Sequence, residues 1–373
     1  MKIKLALFYL LILLLASCGE EENPQPSDPT DPSDPPVVVV DLLDLSLITI
    51  SFTAEKDASL VVVSTNDKWK ATCKEDWISL STSEGDNSTG FIIGASENKK
   101  FQREATINIS GGDKSKEIKV VQMGVPKIEF EINGVSFVLF PVNMDTTIFF
   151  IMGNYSSNVY LDSYFISETE ITNAQWNAVM GSLPYGGENS FPDLPVHENW
   201  KNITEKFIPK INELNDYDLR LPTETEWEIA ARGGKKGNNT AYAGSIYIDE
   251  VAWYWENSGG KKHNVALKMP NELGLYDMNG NVSEWCSDWY EGWTYNDPAP
   301  STELSNPTGP ETGTVKVIRG GDIRTAESGC YINSRDYLPP DIIETEYLGI
   351  TNPGFLYEGY FHFTGFRLVI AKN

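Results

Sequence analysis

Residues 271–290 form a stretch rich in carboxylate and amide oxygens that could bind a hard cation. Asp277 and Glu284 supply carboxylates, and Gly274 and Gly280 permit tight turns. Calcium takes about six to eight oxygen ligands, including backbone carbonyls, so a loop of this composition suits it. The stretch follows neither the alternation of a strand nor the period of a helix. It therefore predicts an ordered, irregular loop with a calcium site.

The four cysteines are the candidates for redox or soft-metal chemistry. They are Cys18, Cys73, Cys286 and Cys330. Lipid attachment at Cys18 would leave three thiols in an oxidising compartment. Cys286 and Cys330 lie in the same part of the chain, and the geometry of a bridge cannot be read from sequence. The sequence therefore leaves two alternatives, a disulfide between Cys286 and Cys330 or two free thiols.

The first 17 residues predict an export signal. Lys2 and Lys4 precede an apolar run over residues 5–16 that is short for a membrane-spanning helix. Residues 15–18 (LASC) resemble the lipobox of bacterial lipoproteins, which implies cleavage before Cys18 and lipid on that residue. An ordinary secretory signal with an incidental cysteine is the alternative. The resemblance implies an exported bacterial lipoprotein, anchored in the outer membrane and displayed at the cell surface.

Residues 18–40 predict an acidic, proline-rich tether. Six prolines fall within residues 23–36, and apolar side chains are almost absent there. Such a segment cannot bury a core and favours an extended chain. Glu20–Glu22 resemble the acidic tag that directs some lipoproteins to the outer surface.

Residues 41–125 predict an all-β sandwich of immunoglobulin-like type. Short alternating runs, such as Ala105–Ile109, are separated by polar turns. With Trp69, Trp77 and Arg103, the segment resembles the BACON module of bacterial surface proteins, which implies carbohydrate binding or a spacer role. Trp69 and Trp77 fall in adjacent predicted strands, which favours a role in the core over a role as sugar-binding platforms. The predicted strands are Leu60–Ser64, Trp69–Cys73, Trp77–Leu80, Phe91–Ala95, Ala105–Ile109 and Ile118–Val121.

Six segments over residues 126–373 carry a second resemblance. They are Phe137–Gly153, Tyr164–Trp176, Arg220–Gly234, Val251–Asn257, Val317–Gly321 and Gly365–Val369. In this order they resemble the formylglycine-generating, or sulfatase-modifying factor, enzymes. The resemblance implies an α+β fold of C-type-lectin-like architecture. The fold class is therefore a multi-domain chain, with an all-β sandwich followed by this α+β domain.

The resemblance also implies which atoms would bind calcium in the 271–290 loop. It carries the metal site over to the side chains of Asp277 and Glu284 and to the backbone carbonyls of Gly280 and Val282. These are the oxygen ligands that calcium prefers.

Copper is the cofactor that the resemblance implies for catalysis. The family's oxidases bind copper(I) through two cysteines, six and eleven residues after the arginine of an Arg-Gly-Gly motif. Counted from Arg319, these positions hold Thr325 and Cys330. Copper(I) is soft and prefers thiolate, so a hydroxyl cannot replace the missing ligand. Asp322 also departs from the serine usual in the family. Copper is therefore not expected, and Cys330 is a catalytic candidate only in the oxidase interpretation.

Two helices are predicted by their N-terminal capping boxes. Thr172 with Gln175, and Thr223 with Glu226, have the spacing in which each side chain bonds the other's backbone. A third amphipathic run over residues 200–214 contains Pro209, which predicts a kink or a delayed start.

Composition excludes one class of partner. The chain has 29 basic and 53 acidic residues, a net charge of −24, which disfavours nucleic acid. His197, His263 and His362 are isolated, with no helical pair to bind a metal.

Two classes of function remain. The first is a non-catalytic binding module for an extracellular glycan or protein, with Tyr331, Tyr337 and Tyr357 as candidate ligand-binding residues. These aromatics could equally fill an irregular core. The second is a copper-dependent oxidase acting on a sulfatase-type cysteine. The missing cysteine at position 325 favours binding.

Overall fold

The computed structural model describes residues 42–152, 155–186, 190–292, 304–341 and 363–372. The export signal, Cys18, the whole tether, His362 and Tyr357 lie outside these residues. No helix within the described ranges is both long and apolar enough to cross a bilayer.

Two β-sheets over residues 43–122 share one hydrophobic cluster. The four-stranded sheet has the order β1-β3-β7-β5 and the five-stranded sheet β2-β9-β8-β4-β6. Trp69 is 2% exposed and Trp77 is 8% exposed, so both are core residues rather than sugar platforms. The strands are β1 Leu43–Leu45, β2 Thr49–Phe52, β3 Asp57–Thr65, β4 Lys68–Thr72, β5 Ile78–Leu80, β6 Glu84–Asp86, β7 Thr89–Ala95, β8 Arg103–Gly111 and β9 Lys114–Gln122.

A loop of this β unit packs into the core that follows it. Phe101, between β7 and β8, belongs to the hydrophobic cluster that contains Ile128 and Phe165. The ring centroids of Phe101 and Phe165 are 4.3 Å apart. The Val125 backbone N–H donates to the Lys100 carbonyl at 2.9 Å. The connection between the two parts of the chain is therefore both packed and hydrogen-bonded.

Residues 128–371 form four small sheets with helices between them. The largest has the order β10-β11-β14-β23-β15. The C-terminal strand β23 therefore lies between β14 and β15. The others are β12-β13-β19, β16-β17 and β21-β20-β18-β22. The strands are β10 Ile128–Ile132, β11 Val135–Val142, β12 Thr146–Met152, β13 Tyr155–Leu161, β14 Tyr164–Ser167, β15 Leu219–Arg220, β16 Ala252–Trp253, β17 Asn279–Gly280, β18 Ser283–Trp289, β19 Leu304–Ser305, β20 Lys316–Arg319, β21 Asp336–Leu338, β22 Thr364–Gly365 and β23 Val369–Ala371.

Both predicted capping boxes are confirmed. Thr172 caps α1 and Thr223 caps α4, each through reciprocal bonds with the residue three positions on. The run over residues 200–213 begins as α2, passes through a π-helical turn at Ile203–Phe207, and continues as α3, with Pro209 in its first turn. Proline has no N–H to donate, so it is tolerated at such a start. The helices are α1 Asn173–Met180, α2 Trp200–Asn202, α3 Ile208–Glu213, α4 Glu224–Ala231 and α5 Ile248–Val251.

Candidate functional site

The prediction that residues 271–290 form an irregular loop is wrong for their second half, where Ser283–Trp289 is strand β18. Glu284 on this strand belongs to a buried ion pair. The Arg367 guanidinium donates to both carboxylate oxygens of Glu284, each at 2.6 Å. Trp227 Nε1 also donates to Glu284 Oε2, at 2.7 Å. All three side chains are at most 1% exposed. Charge-assisted bidentate contacts of this kind hold both partners in one geometry.

Two further carboxylates share this interior. Glu170 Oε1 accepts from the Val282 backbone N–H at 2.9 Å, and Glu170 Oε2 accepts from the Asn281 amide at 2.8 Å. Burial, with Asp277 and Glu284 nearby, raises the Glu170 pKa well above its usual value. Three acids therefore surround one arginine, and the ionised cluster would carry excess negative charge.

Asp277 is the member of this cluster with an unused oxygen. Its Oδ2 accepts from the Ala266 backbone N–H at 2.7 Å, whereas its buried Oδ1 has no hydrogen-bond partner. Burial raises the pKa of Asp277 to about 6. A buried carboxylate with a free lone pair favours either a proton or a cation.

The predicted calcium ligands lie together, but one of them is engaged elsewhere. Gly280 has a φ of 75°, and a Cβ there would lie 2.2 Å from the Trp253 carbonyl oxygen, so the turn requires glycine. Glu284 pairs with Arg367 instead of offering free oxygens. Within the described ranges, no group of three His, Cys, Asp or Glu residues has the arrangement of a metal site. Calcium binding by Glu284 stays a prediction, and the pairing with Arg367 disfavours it, because both carboxylate oxygens already accept hydrogen bonds.

Acidification should stabilise this cluster. Because the folded pKa of Asp277 lies above the unfolded value of 3.8, its ionised form destabilises the fold at neutral pH, and stability returns as the pH falls through about 6. When the pH is lowered from 8 to 5 in the presence of a chelator, we expect the free energy of unfolding of the wild type to rise by about 1–2 kcal/mol relative to that of Asp277→Asn. Urea unfolding measures this difference.

The comparison with Asp277→Asn cancels titrations elsewhere in the chain. Calcium bound to ionised Asp277 would give the opposite slope when calcium is added, because acid would then displace the ion. An equal pH dependence for the two proteins would contradict the burial of an ionisable Asp277.

The positions implied for copper also lie together. Thr325 Oγ1 donates to Asp322 Oδ1 at 2.9 Å and accepts from the Asp322 backbone N–H at 2.9 Å. Cys330 is fully buried, with its Sγ 4.0 Å from the Thr325 carbonyl oxygen. Burial, followed by the nearby Asp322 carboxylate, raises the Cys330 pKa far above its usual range. The site holds a neutral thiol and a hydroxyl already used in a turn.

Cys286 does not complete this pair. It lies on β18 in the cluster around Trp227, whereas Cys330 packs with Tyr242 and Tyr254. Cys286 and Cys330 are free thiols, so of the two alternatives that the sequence left open, the structure has the one without a bridge. Burial raises the pKa of Cys286 well above its usual value.

A second buried arginine, Arg319, binds the segment that follows Cys330. Arg319 pairs with Glu228 of α4 and donates to the carbonyls of Ser334 at 2.7 Å and Ile332 at 2.9 Å. Sequence analysis missed this role, although Arg319 and Glu228 fall in two of the segments that resemble the family. Arg319 therefore connects the segment at Ile332 and Ser334 to α4.

The candidate ligand-binding tyrosines have different surroundings. Tyr331 is 37% exposed and stacks on Tyr242, with ring centroids 5.2 Å apart. Tyr337 is half-buried and packs on Tyr290 at 4.4 Å. They contact different aromatic partners, so they do not stack into one platform.

The two described histidines belong to aromatic packing. His197 is buried, stacks on Tyr185 at 4.1 Å, and places Nδ1 2.8 Å from Lys262 Nζ. Burial lowers the pKa of His197 to about 3. His263 stacks on Trp253 at 3.7 Å. Neither lies in a metal-binding group.

Comparison with known proteins identifies the domain that carries this site. The sequence profile of the sulfatase-modifying factor enzyme 1-like domain matches residues 95–350. The chain belongs to the sulfatase-modifying factor family. The family resemblance seen in the sequence is thereby confirmed, and the mostly β fold agrees with it.

Relatives in the sulfatase-modifying factor family have different names. The chaperone protein LppX of Paenibacillus barcinonensis is 34% identical, over 46% of this chain and 74% of that protein. A formylglycine-generating enzyme of Streptomyces coelicolor is 39% identical, over 42% of this chain and 52% of the enzyme. The chain thus spans about half of that enzyme's length.

A solved structure has the same fold. Treponema denticola variable protein 1 is 25% identical, with a TM-score of 0.54 over 66% of this chain and 99% of that protein. The similarity covers that whole protein, so its fold corresponds to the family domain of this chain.

Proposed function

We propose that the family domain is a non-catalytic binding module for a glycan or protein ligand. The observation that carries this proposal is the state of the Thr325–Cys330 turn. Thr325 is bound to Asp322, and Cys330 is a buried thiol with a raised pKa. Copper(I) prefers thiolate ligands, and position 325 offers it a hydroxyl that is already hydrogen-bonded to Asp322.

The names of the relatives support two functions. LppX of Paenibacillus barcinonensis is named a chaperone protein, whereas the Streptomyces coelicolor protein is named a formylglycine-generating enzyme. A copper-dependent oxidase acting on a sulfatase-type cysteine is therefore the second candidate. The family match supports this oxidase candidate. The threonine at position 325, where a copper-binding cysteine is expected, opposes it.

Copper(I) affinity separates these candidates. We expect the full chain to lose copper(I) to a chromophoric chelator, and Thr325→Cys to bind copper(I) at least about tenfold more tightly, because the second thiolate completes the ligand set. Cys330→Ser is the control for binding at other thiols. Wild-type binding as tight as that of Thr325→Cys, and lost in Cys330→Ser, would support the oxidase.

We further propose that the chain is an outer-membrane lipoprotein that displays this domain at the cell surface. The LASC segment ending at Cys18, the proline-rich tether and the β unit of residues 43–122 support this arrangement. The β unit, which we interpret as a BACON module, would act as a spacer, since Trp69 and Trp77 are core residues.

The lipid anchor can be tested at Cys18. With Cys18→Ser we expect the protein to leave the membrane fraction and to lose labelled palmitate, because several acyl chains on one residue are what make anchoring stable. Cys73→Ser, at a half-buried thiol of the β unit, is the matched control and should keep the label. Label that persists on Cys18→Ser would refute the anchor.

A further inference from the structure

A polar crevice, here named the β15 crevice, opens at one end of the five-stranded sheet of the family domain. It encloses about 560 Å³, within the range of roughly 300–1,000 Å³ in which small-molecule sites fall. The ends of β13 and β23, the start of β14, strand β15, the first turn of α4 and residues 306–308 contribute to its lining. Neither Thr325 nor Cys330 is among the described residues that line it, so it is separate from the turn discussed above.

The inner part of the β15 crevice holds a fixed hydrogen-bond donor. The Arg220 guanidinium donates to both carboxylate oxygens of Glu226, each at 2.7 Å, and to the Leu221 carbonyl at 2.9 Å. Glu226 is buried and belongs to the capping box of α4, so this pair cannot move independently of the helix. The Arg220 side chain is 39% exposed, and its Nε–H is not used in these contacts. That N–H group therefore remains available to a ligand.

The outer part of the crevice combines acceptors and donors. Asn306 Nδ2 donates to Asp162 Oδ2 at 2.7 Å, and the Asp162 backbone N–H donates to Asn306 Oδ1 at 2.8 Å. These two bonds hold both side chains in place at an exposed position. Asp218 adds an exposed carboxylate, and Thr308 adds an exposed hydroxyl. The lining therefore presents both kinds of hydrogen-bonding group to solvent.

Charges of both signs line the β15 crevice. Arg220 and Lys372 are cationic, whereas Asp162, Asp218 and Glu226 are anionic. An anionic ligand would share the crevice with the exposed carboxylates, and a cationic ligand would share it with the Lys372 ammonium group. Like charges brought together in this way cost free energy. A neutral ligand avoids that cost, and a hydroxyl group can donate to a carboxylate or accept from a guanidinium.

We propose that the β15 crevice binds a neutral oligosaccharide. The proposal rests on the binding function proposed above and selects glycan over protein. Leu161, Tyr164 and Ala371 are the apolar members of the described lining, and the first two are 1% exposed. A peptide would find little apolar surface here for its side chains, and such surface forms the core of protein interfaces. The adjacent hydroxyls of a sugar match the mixed donors and acceptors instead.

Saturation-transfer NMR on the full chain tests this proposal with four neutral probes. The protein is kept in a chelator and a sugar-free non-ionic detergent, so that neither calcium nor detergent affects sugar binding. We expect at least one probe to bind, with a dissociation constant that rises at least about tenfold in Asp218→Ala/Thr308→Ala, because both substitutions remove hydrogen bonds to the ligand. The probes are maltotriose, chitotriose, mannotriose and xylotriose.

Asp216→Ala and Thr312→Ala are the matched controls. Both residues are exposed, lie close in sequence to the residues that they match, and are not part of the described lining of the crevice. Each control should keep the dissociation constant within about twofold of the wild-type value. Unchanged thermal melts show that the double variant is folded.

The charge of the ligand is tested on the wild type, so this result does not depend on the fold of a variant. Binding of the neutral probe should change less than about twofold between about 50 mM and about 500 mM salt, because salt screens only charged ligands. The glucosamine trimer, which is the cationic counterpart of chitotriose, and trigalacturonate, which is anionic, should each bind at least about fivefold more weakly than the best neutral probe.

Four results would overturn the proposal. They are no binding by any neutral probe, equal binding by the wild type and the double variant, equal losses in the two controls, and tighter binding of a charged trimer or of a hexa-alanine peptide. A sugar that binds the wild type and the double variant equally would remove the crevice and leave the binding function standing. Formylglycine formation, measured separately, would overturn the binding function itself.

Discussion

Arg367→Met should lower the free energy of unfolding by about 3–5 kcal/mol. The guanidinium is fully buried, pairs with both oxygens of Glu284, and donates to the carbonyls of Ser167 and Tyr276, each at 3.0 Å. Removing it leaves Glu284 charged and unpaired beside two other carboxylates, Glu170 and Asp277. Most of the loss therefore comes from the stranded negative charge rather than from the pair itself.

Urea unfolding measures this loss against a matched exposed pair. Lys372 lies 2.7 Å from Asp145, and both side chains are well exposed, so Lys372→Met should cost at most about 1 kcal/mol. Adding Glu284→Gln to Arg367→Met should recover part of the loss, because the unpaired charge is then removed. A cost for Arg367→Met no larger than that of Lys372→Met would show that the buried cluster does not hold the domain together.

The features that sequence predicted well are local ones. Thr172 with Gln175, and Thr223 with Glu226, form capping boxes because both partners lie within one helical turn. The six predicted strands of the first β unit correspond to β3, β4, β5, β7, β8 and β9. Strands β1, β2 and β6, which have three or four residues each, were not predicted.

The charge chemistry of the site depends on contacts that are distant in sequence. Glu284 and Arg367 are 83 residues apart, and Glu170 meets Val282 across 112 residues. Spacing alone therefore suggested that Glu284 was free to bind calcium, whereas the fold supplies it with an arginine. Sequence placed Asp277 and Glu284 in one stretch of chain and could not show which of their oxygens already accept hydrogen bonds.

For the cysteines too, the positions can be read from sequence, whereas the burial of each thiol depends on the fold. Counting from Arg319 was enough to find Thr325 at one copper position and Cys330 at the other. The separate burial of Cys286 and Cys330, which excludes a bridge between them, depends on the packing of two different clusters. No local pattern reports how distant strands bury a thiol.

Formylglycine formation on a Cys-x-Pro-x-Arg peptide is the most direct measurement of the central claim, that this family domain binds without catalysing oxidation. The peptide would be incubated with copper(I), oxygen and the full chain, and its products analysed by mass spectrometry. The Streptomyces coelicolor formylglycine-generating enzyme serves as the positive control.

We expect no product from the wild type, because Thr325 stands where the second thiolate ligand would be and its hydroxyl is hydrogen-bonded to Asp322. Thr325→Cys should restore copper binding without turnover, since Asp322 and its hydrogen-bonded turn remain. Conversion of the peptide by the wild type, abolished by Cys330→Ser, would contradict the account and establish the oxidase.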